Sequence, residues 1–339
     1  MKSDANYLTL TLVVPSARGE LSGDALHVGA AGAQALELLL TRAQCTPADA
    51  DVDRLLCQLF DVTLRPDADV PIAPVTHALD HGEPPPGYCL RADPVHAAAD
   101  RDVLRMLDPR TLAIAATEAR DLVATLNAHF APDGLQFSAP QPERWYLNLP
   151  ADPLMRTHPL AHTVGASLHD YLPFGAHGKR WHVVLNEIQM LLHEHPVNNA
   201  REARGELPIN SVWFWGGGHV PSLAQNKWAQ VWSDDVVALG LAKLSGVPRS
   251  GAPDDVRTWL EAANTPGDHL LVLPAITRAA LAGMNAAWFA PLYEALKSRR
   301  VQRLTLHLSS GAAYSVDAAV LKRWWIRRRP LDQFFNAPL

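Results

Sequence analysis

The sequence predicts an α/β fold, a mostly parallel sheet with helices on both faces, plus a small inserted α+β subdomain. Three observations lead there. Short apolar strands such as YLTLTLVV, DHLLVLP and RLTLHLSS alternate with amphipathic helices, the order that builds parallel sheets covered by helices. A stretch rich in Pro, Asp and Gly, Asp67 to Gly87 (DADVPIAPVTHALDHGEPPPG), interrupts that order. A chain of 339 residues with 48% apolar and 19% charged side chains can bury a large core.

Taken in order, Tyr7 to Val14 alternates and then runs apolar, which reads as a buried first strand. Ala33 to Arg42 places Leu36, Leu39 and Leu40 on one helical face, and Val52 to Phe60 repeats the pattern with Leu55, Leu56 and Leu59. The composition of Asp67 to Gly87 predicts a link without a helix, and a subdomain boundary is placed there. Beyond it YCLRADPV reads as a strand, the segment from about Thr117 to Phe130 as a helix, and LQFSAP and RWYLNLP as two more strands. This compact α+β segment, 86–150, is the inserted subdomain, and 1–85 with 151–339 is the discontinuous core. Trp181 to His195 carries Trp181, Leu185, Ile188 and Leu192 at helical spacing and stops at Pro196. Strands at SVWFW and DHLLVLP, helices at VVALGLAKL and AWFAPLYEALKSR, and the strand RLTLHLSS complete the alternation.

Composition narrows the function classes. No apolar run approaches the ~20 residues of a membrane span, and MKSDANYLTL lacks a basic segment followed by an apolar one, so neither a membrane role nor a signal peptide is expected. Cys45, Cys57 and Cys89 are an odd set without C-x-x-C spacing, which predicts no disulfide framework and a cytoplasmic location. A net charge of −5 argues against nucleic acid as a partner, and only KRWWIRRRP (Lys322 to Pro330) forms a basic patch.

The densest chemistry lies in HPVNNAREARGELPINSVWFWGGG, His195 to Gly218. Asn198 and Asn210 suit caps or turns. Arg201 and Arg204, three apart on a short helix, can grip an anion together, because guanidinium binds carboxylate or phosphate two-pronged. Gly216, Gly217 and Gly218 after the apolar strand with Trp213 allow close backbone approach, and a strand ending in glycine is where open α/β sheets hold ligands. The candidate site is therefore Asn198, Arg201, Arg204, Asn210, Trp213 and Gly216 to Gly218, with a small anionic or phosphorylated ligand. The competing reading pairs the arginines with Glu202 and Glu206 and gives the glycines only a tight turn.

This stretch resembles the His-Pro-x-Asn, Arg, Gly, Pro-x-Asn, Trp-x-Trp-Gly-x-Gly segment of archaeal-type cofactor-independent phosphoglycerate mutases. The resemblance continues through VPSLAQNKWAQVWSDDVVALGLAKLSGVP and extends back to GYCLRADPV, covering roughly Gly87 to Pro248. LNEIQMLLHEHPVN is similar to a bacterial group of RpfE-type regulatory proteins. The resemblance implies an alkaline-phosphatase-like core with an inserted subdomain, two divalent metals held by Asp and His, and a Ser nucleophile.

The chain departs from that pattern where the chemistry would be. The first strand has no following Asp before Asp24, and Ala50-Asp51 stands where the resemblance implies Ser-Asp. Between His269 and Val316 there is no Asp. Two-metal phosphoryl transfer needs several converging carboxylates, so the expectation is a catalytically degenerate relative with a regulatory or ligand-binding role and no cofactor. An active phosphoglycerate mutase or phosphate-ester enzyme with a divergent metal site is the first alternative. Its metal ligands would come from seven histidines within 38 residues, with His158 and His162 four apart, although Pro159 and Gly165 speak against a helix there. The second alternative is an interaction protein using Trp324, Trp325 and Arg327 to Arg329.

Overall fold

The alternation in YLTLTLVV forms strand β1 (Leu8–Val13) in a computed structural model that describes residues 7–15, 32–100, 103–107, 111–163, 168–223, 227–277, 280–308, 310–323 and 325–335. Contacts divide the chain into one unit of Met1–Val62 with Leu223–Leu339 and a second of Thr63–Ser222. The first unit begins with β1, α1 (Gln34–Arg42), β2 (Gln44–Pro47) and α2 (Val52–Leu59). Leu36, Leu39 and Leu40 of α1 are buried as their spacing requires. Ala33, at the N-cap of α1, has no side chain to cap with, and the Asn285 Oδ1 instead accepts the N–H groups of Ala35 and Leu36 at 3.2 and 3.3 Å.

The second unit opens with α3 (Ile72–His81), a helix inside the segment whose composition predicts none. Its prolines explain the miss. Pro71 is the N-cap and Pro74 the third helical residue, where no intrahelical N–H bond is lost, and Gly82 ends the helix at φ 89°. There follow β3 (Tyr88–Val95), β4 (Ala97–Asp100), β5 (Val103–Met106), α4 (Ala116–Phe130), β6 (Gln136–Gln141), β7 (Arg144–Leu149), α5 (Gly178–His193), α6 (Pro196–Ala203) and β8 (Ser211–Gly218). The sheet order is β6-β7-β3-β8, antiparallel throughout. Strand periodicity sorts its two faces. Leu90, Trp145 and Leu147 share a core with Leu122, Leu126, Leu185 and Ile188 of α4 and α5, while Cys89 and Tyr146 pack with Ala73 of α3. The unit that holds 86–150 thus also takes in α3 and the run from α5 to β8, because β8 pairs with β3 and α5 shares its core.

The chain returns to the first unit as β9 (Trp228–Ser233), α7 (Val236–Leu244), β10 (Arg249–Ser250), α8 (Val256–Ala262), β11 (Gly267–Val272), α9 (Leu281–Met284), α10 (Ala290–Lys297), β12 (Arg303–His307), β13 (Ala312–Asp317), α11 (Ala318–Leu321) and α12 (Asp332–Phe335). Its sheet has the order β10-β9-β11-β1-β12-β13-β2. Pairings from β10 to β12 are parallel, and β13 and β2 add an antiparallel edge. The buried run His269 to Val272 of β11 suits a sheet covered by helices. Leu10, Leu12, Leu271, Leu304 and Leu306 share one core with Leu36, Trp259, Phe289 and Leu292. Among the described residues no helix is long and apolar enough to cross a membrane.

Candidate functional site

Pro196 both ends the α5 segment and opens α6 at a position that needs no N–H partner. From there the motif side chains turn inward. The Asn198 amide donates to the carbonyls of Leu192 and Ile209 at 2.7 and 2.9 Å and accepts the Ile209 N–H at 2.8 Å, tying the end of α5 to the approach to β8. Arg201 is 1% exposed. Its Nη1 meets Glu118 Oε2 at 2.6 Å, its Nε donates to the Leu207 carbonyl at 2.8 Å, and its Nη2 donates to the Leu112 carbonyl. Arg204 lies at the surface and bonds both Glu118 and Glu206.

The place an external anion would take beside the two guanidinium groups is filled by the Glu118 carboxylate, from the first turn of α4. Burial works to raise the Glu118 pKa, but the Ala115 N–H and the guanidinium groups of Arg204 and Arg201 outweigh it and hold the carboxyl below its ordinary value. Local spacing offers Glu202 and Glu206 as partners. Glu206 does pair with Arg204, whereas Glu118 is 83 residues from Arg201 and carries no local signal.

Asn210 closes a two-way bond with Ala97, accepting its N–H and donating to its carbonyl, both at 2.8 Å. Trp213 is buried and donates Nε1 to the His158 carbonyl at 2.9 Å. The three glycines lie within β8, in an antiparallel sheet, so the rule that places ligands at the ends of parallel strands does not reach them. Gly216 and Gly218 let β8 pack against the start of α3, and Gly217 makes room for Leu90 and Tyr88 of β3. Gly216 has φ +64°, and a Cβ there would sit 3.0 Å from Ile72 Cβ, while a Cβ on Gly218 would fall 2.8 Å from Pro71 Cβ.

Below the motif lies a polar network that sequence reasoning missed. Arg91 and Asp93 are buried and bonded at 2.6 Å, with Trp215 Nε1 donating to Asp93 at 2.7 Å. Arg91 also covers the rings of Tyr146 and Trp215. Asp80 accepts two bonds from Arg144 and one from the Tyr146 hydroxyl at 2.6 Å. His77 and His81 stack at 4.1 Å beside Tyr146, and burial, with His81 nearby, pushes His77 down to about 4. The available signal was two charges at alternate positions of an otherwise apolar strand, CLRAD.

In the first unit, the ends of the parallel strands are where the resemblance would put metal ligands. Asp51, beside Ala50 and after the antiparallel edge strand β2, caps α2 by accepting the Arg54 N–H at 2.9 Å. Asp235, after β9, caps α7 through the N–H groups of Val237 and Ala238, and burial raises its carboxyl. His307, at the end of β12, is buried, its Nδ1 has no hydrogen-bond partner among the described residues, and burial pushes it down to about 4. Among the described residues no group of three His, Cys, Asp or Glu side chains could hold a metal ion. These donors do not fit two divalent cations, which require several carboxylates on shared ions.

His158 and His162 do not share a helical face. His158 stacks on Phe174 in a loop, and His162 ends a short turn, Leu160–His162. At the C-terminus Trp325 is 65% exposed and Arg328 reaches Glu37 at 3.3 Å, while Trp324 lies outside the described residues.

No protein-family profile matches the chain. It is 28% identical over 138 residues to a probable 2,3-bisphosphoglycerate-independent phosphoglycerate mutase of Geobacter sulfurreducens, a match covering 40% of this chain and 34% of the relative. It is 33% identical over 112 residues to the 2,3-bisphosphoglycerate-independent phosphoglycerate mutase of Methanosarcina barkeri, covering 32% and 28%. Part of the chain is homologous to these mutases. The matched region spans about a third of the length of those curated relatives. In structure it is similar to the cofactor-independent phosphoglycerate mutase of Thermoplasma acidophilum, with TM-score 0.50, 15% identity and coverage of 98% and 95%. The PH0037 protein of Pyrococcus horikoshii gives TM-score 0.52 at 13% identity, covering 91% and 87%. The mixed α/β architecture with a mostly parallel central sheet is that of alkaline-phosphatase-type folds.

Proposed function

We propose that this chain is a catalytically degenerate relative of the cofactor-independent phosphoglycerate mutases, working in the cytoplasm by binding a ligand or regulating a partner, without a metal cofactor. The observation that carries the reading is Ala50-Asp51, where alanine has no nucleophile to offer and the neighbouring carboxylate caps α2. The lack of Asp between His269 and Val316 supports it, since phosphoryl transfer depends on placed charge that one histidine and scattered carboxylates do not supply. In this reading the Asn, Arg, Trp and Gly motif is scaffold, holding α6, α4 and β8 together, and LNEIQMLLHEHPVN favours a place among RpfE-type regulatory proteins.

A turnover assay with 3-phosphoglycerate, in the presence and absence of Mn²⁺, Mg²⁺ and Zn²⁺, tests the reading. The expected result is no interconversion above the protein-free rate with any ion. Metal-dependent turnover would replace it with an active enzyme built on a divergent site.

A further inference from the structure

Helix α5 buries Trp181, Leu185, Ile188 and Leu192 on one face. At 3.6 residues per turn the opposite face carries Lys179, Val183, Met190 and Glu194 along its centre, all exposed, with Asn186 and Glu187 to either side. Isolated exposed apolar side chains are ordinary, but Val183 and Met190, 55% and 68% exposed, form the middle of an ordered strip. The charges at its ends run against the helix. The first turn holds Lys179 and Arg180 and no acid, and Glu194 is the C-cap, whereas the helix dipole favours acid at the start and base at the end. Among the described residues neither Lys179 nor Glu194 has an ion-pair partner. The order is also palindromic: Lys179 and Glu194, and Val183 and Met190, stand at equal numbers of residues from the peptide bond between Asn186 and Glu187.

We propose that this face of α5 is the contact between two copies of the chain, packed antiparallel about a two-fold axis at Asn186–Glu187. A two-fold contact must be self-complementary, and the palindrome supplies that. Reversal sets Lys179 of each copy against Glu194 of the other, with Arg180 beside the same carboxylate, and Val183 against Met190. The misplaced charges then meet helix ends of the sign they suit, because the start of one α5 lies beside the end of the other. A parallel pair would set like charges together. The two Asn186 side chains meet on one side of the axis, where each amide can donate to and accept from its counterpart. Glu187 falls on the other side, where His129 of its own copy bonds it at 3.2 Å. One helix pair buries less than the roughly 1,200 Å² of a stable interface, so the dimer is reversible. The proposal is independent of lost catalysis, since none of these side chains lies at the parallel-strand ends.

Analytical ultracentrifugation of the full chain through the micromolar range tests this. The wild type should show a monomer–dimer equilibrium that salt weakens. Met190→Lys, at an exposed position, should abolish the dimer. Lys179→Glu and Glu194→Lys should each weaken it about 5- to 10-fold, by setting like charges together at two symmetric places. The double reversal should return it to within about 3-fold of the wild type. Both single reversals suit the α5 dipole, so the monomer keeps its stability and a weaker dimer is not a folding defect. A chain that stays monomeric throughout, a dimer indifferent to Met190→Lys, or a double reversal no tighter than the single ones overturns the proposal.

Discussion

Replacing Glu118 with alanine would leave the Arg201 guanidinium buried beside two carbonyls without its main counter-charge. Removing one partner of a buried pair costs about 3–5 kcal/mol. Glu118 is itself 13% exposed and Glu206 stands 3.6 Å from Arg201 as a partial substitute, so the lower end, about 3 kcal/mol, applies here. For a unit the size of Thr63–Ser222 that lowers the melting temperature by roughly 6–12 °C. Calorimetry and urea melts at neutral pH measure it. The paired change Glu118→Leu with Arg201→Met should lose less than the sum of the single changes, since it removes both charges. A loss below about 1 kcal/mol in Glu118→Ala, or additive effects in the pair, would refute the scaffold role of Arg201 and return it to the candidates for anion binding.

Three further outcomes follow from buried groups. Burial holds His307 neutral down to about pH 4, whereas the unfolded chain takes up a proton near 6.5. Stability should therefore be level above pH 6.5 and fall as pH drops towards 4, by up to about 3 kcal/mol from this residue. His307→Gln should flatten part of that slope in urea melts, His77 supplying another part, and a slope unchanged by the variant contradicts the assignment. Gly216→Ala forces a side chain into φ +64° and against Ile72, and should cost about 2 kcal/mol in the same melts; a neutral effect would mean that the β8 backbone is free to relax. Cys45 is exposed while Cys57 and Cys89 are buried with raised thiol pKa values, so a thiol reagent should label one cysteine in the native protein and three after unfolding. Prompt labelling of more than one would contradict the packing of α2 or β3.

The parts of the fold legible in the sequence are those where one local period dominates. Leu36, Leu39 and Leu40 mark α1, Leu122, Leu126 and Phe130 mark α4, and the alternation in β1 and β12 is plain. The helix α3 was hidden because prolines in a first turn look, in composition, like prolines that break a helix. Strand β2 is four exposed residues at the antiparallel edge, so no apolar patterning marks it. The candidate site was legible as a set of residue types but not as a set of partners. Arg201 with Glu118 and Asn210 with Ala97 are separated by 83 and 113 residues, and only the fold decides that these donors meet the chain itself instead of a ligand.

The central proposal, that the chain keeps the mutase-like fold without its metal chemistry, rests on Ala50-Asp51 and on the lack of Asp between His269 and Val316. Elemental analysis of protein purified without chelators and equilibrated with Mn²⁺ and Zn²⁺ tests it most directly. The account predicts well under one tightly bound divalent ion per chain after desalting. One or two retained stoichiometrically, and lost on replacing His307 or Asp235, would contradict it.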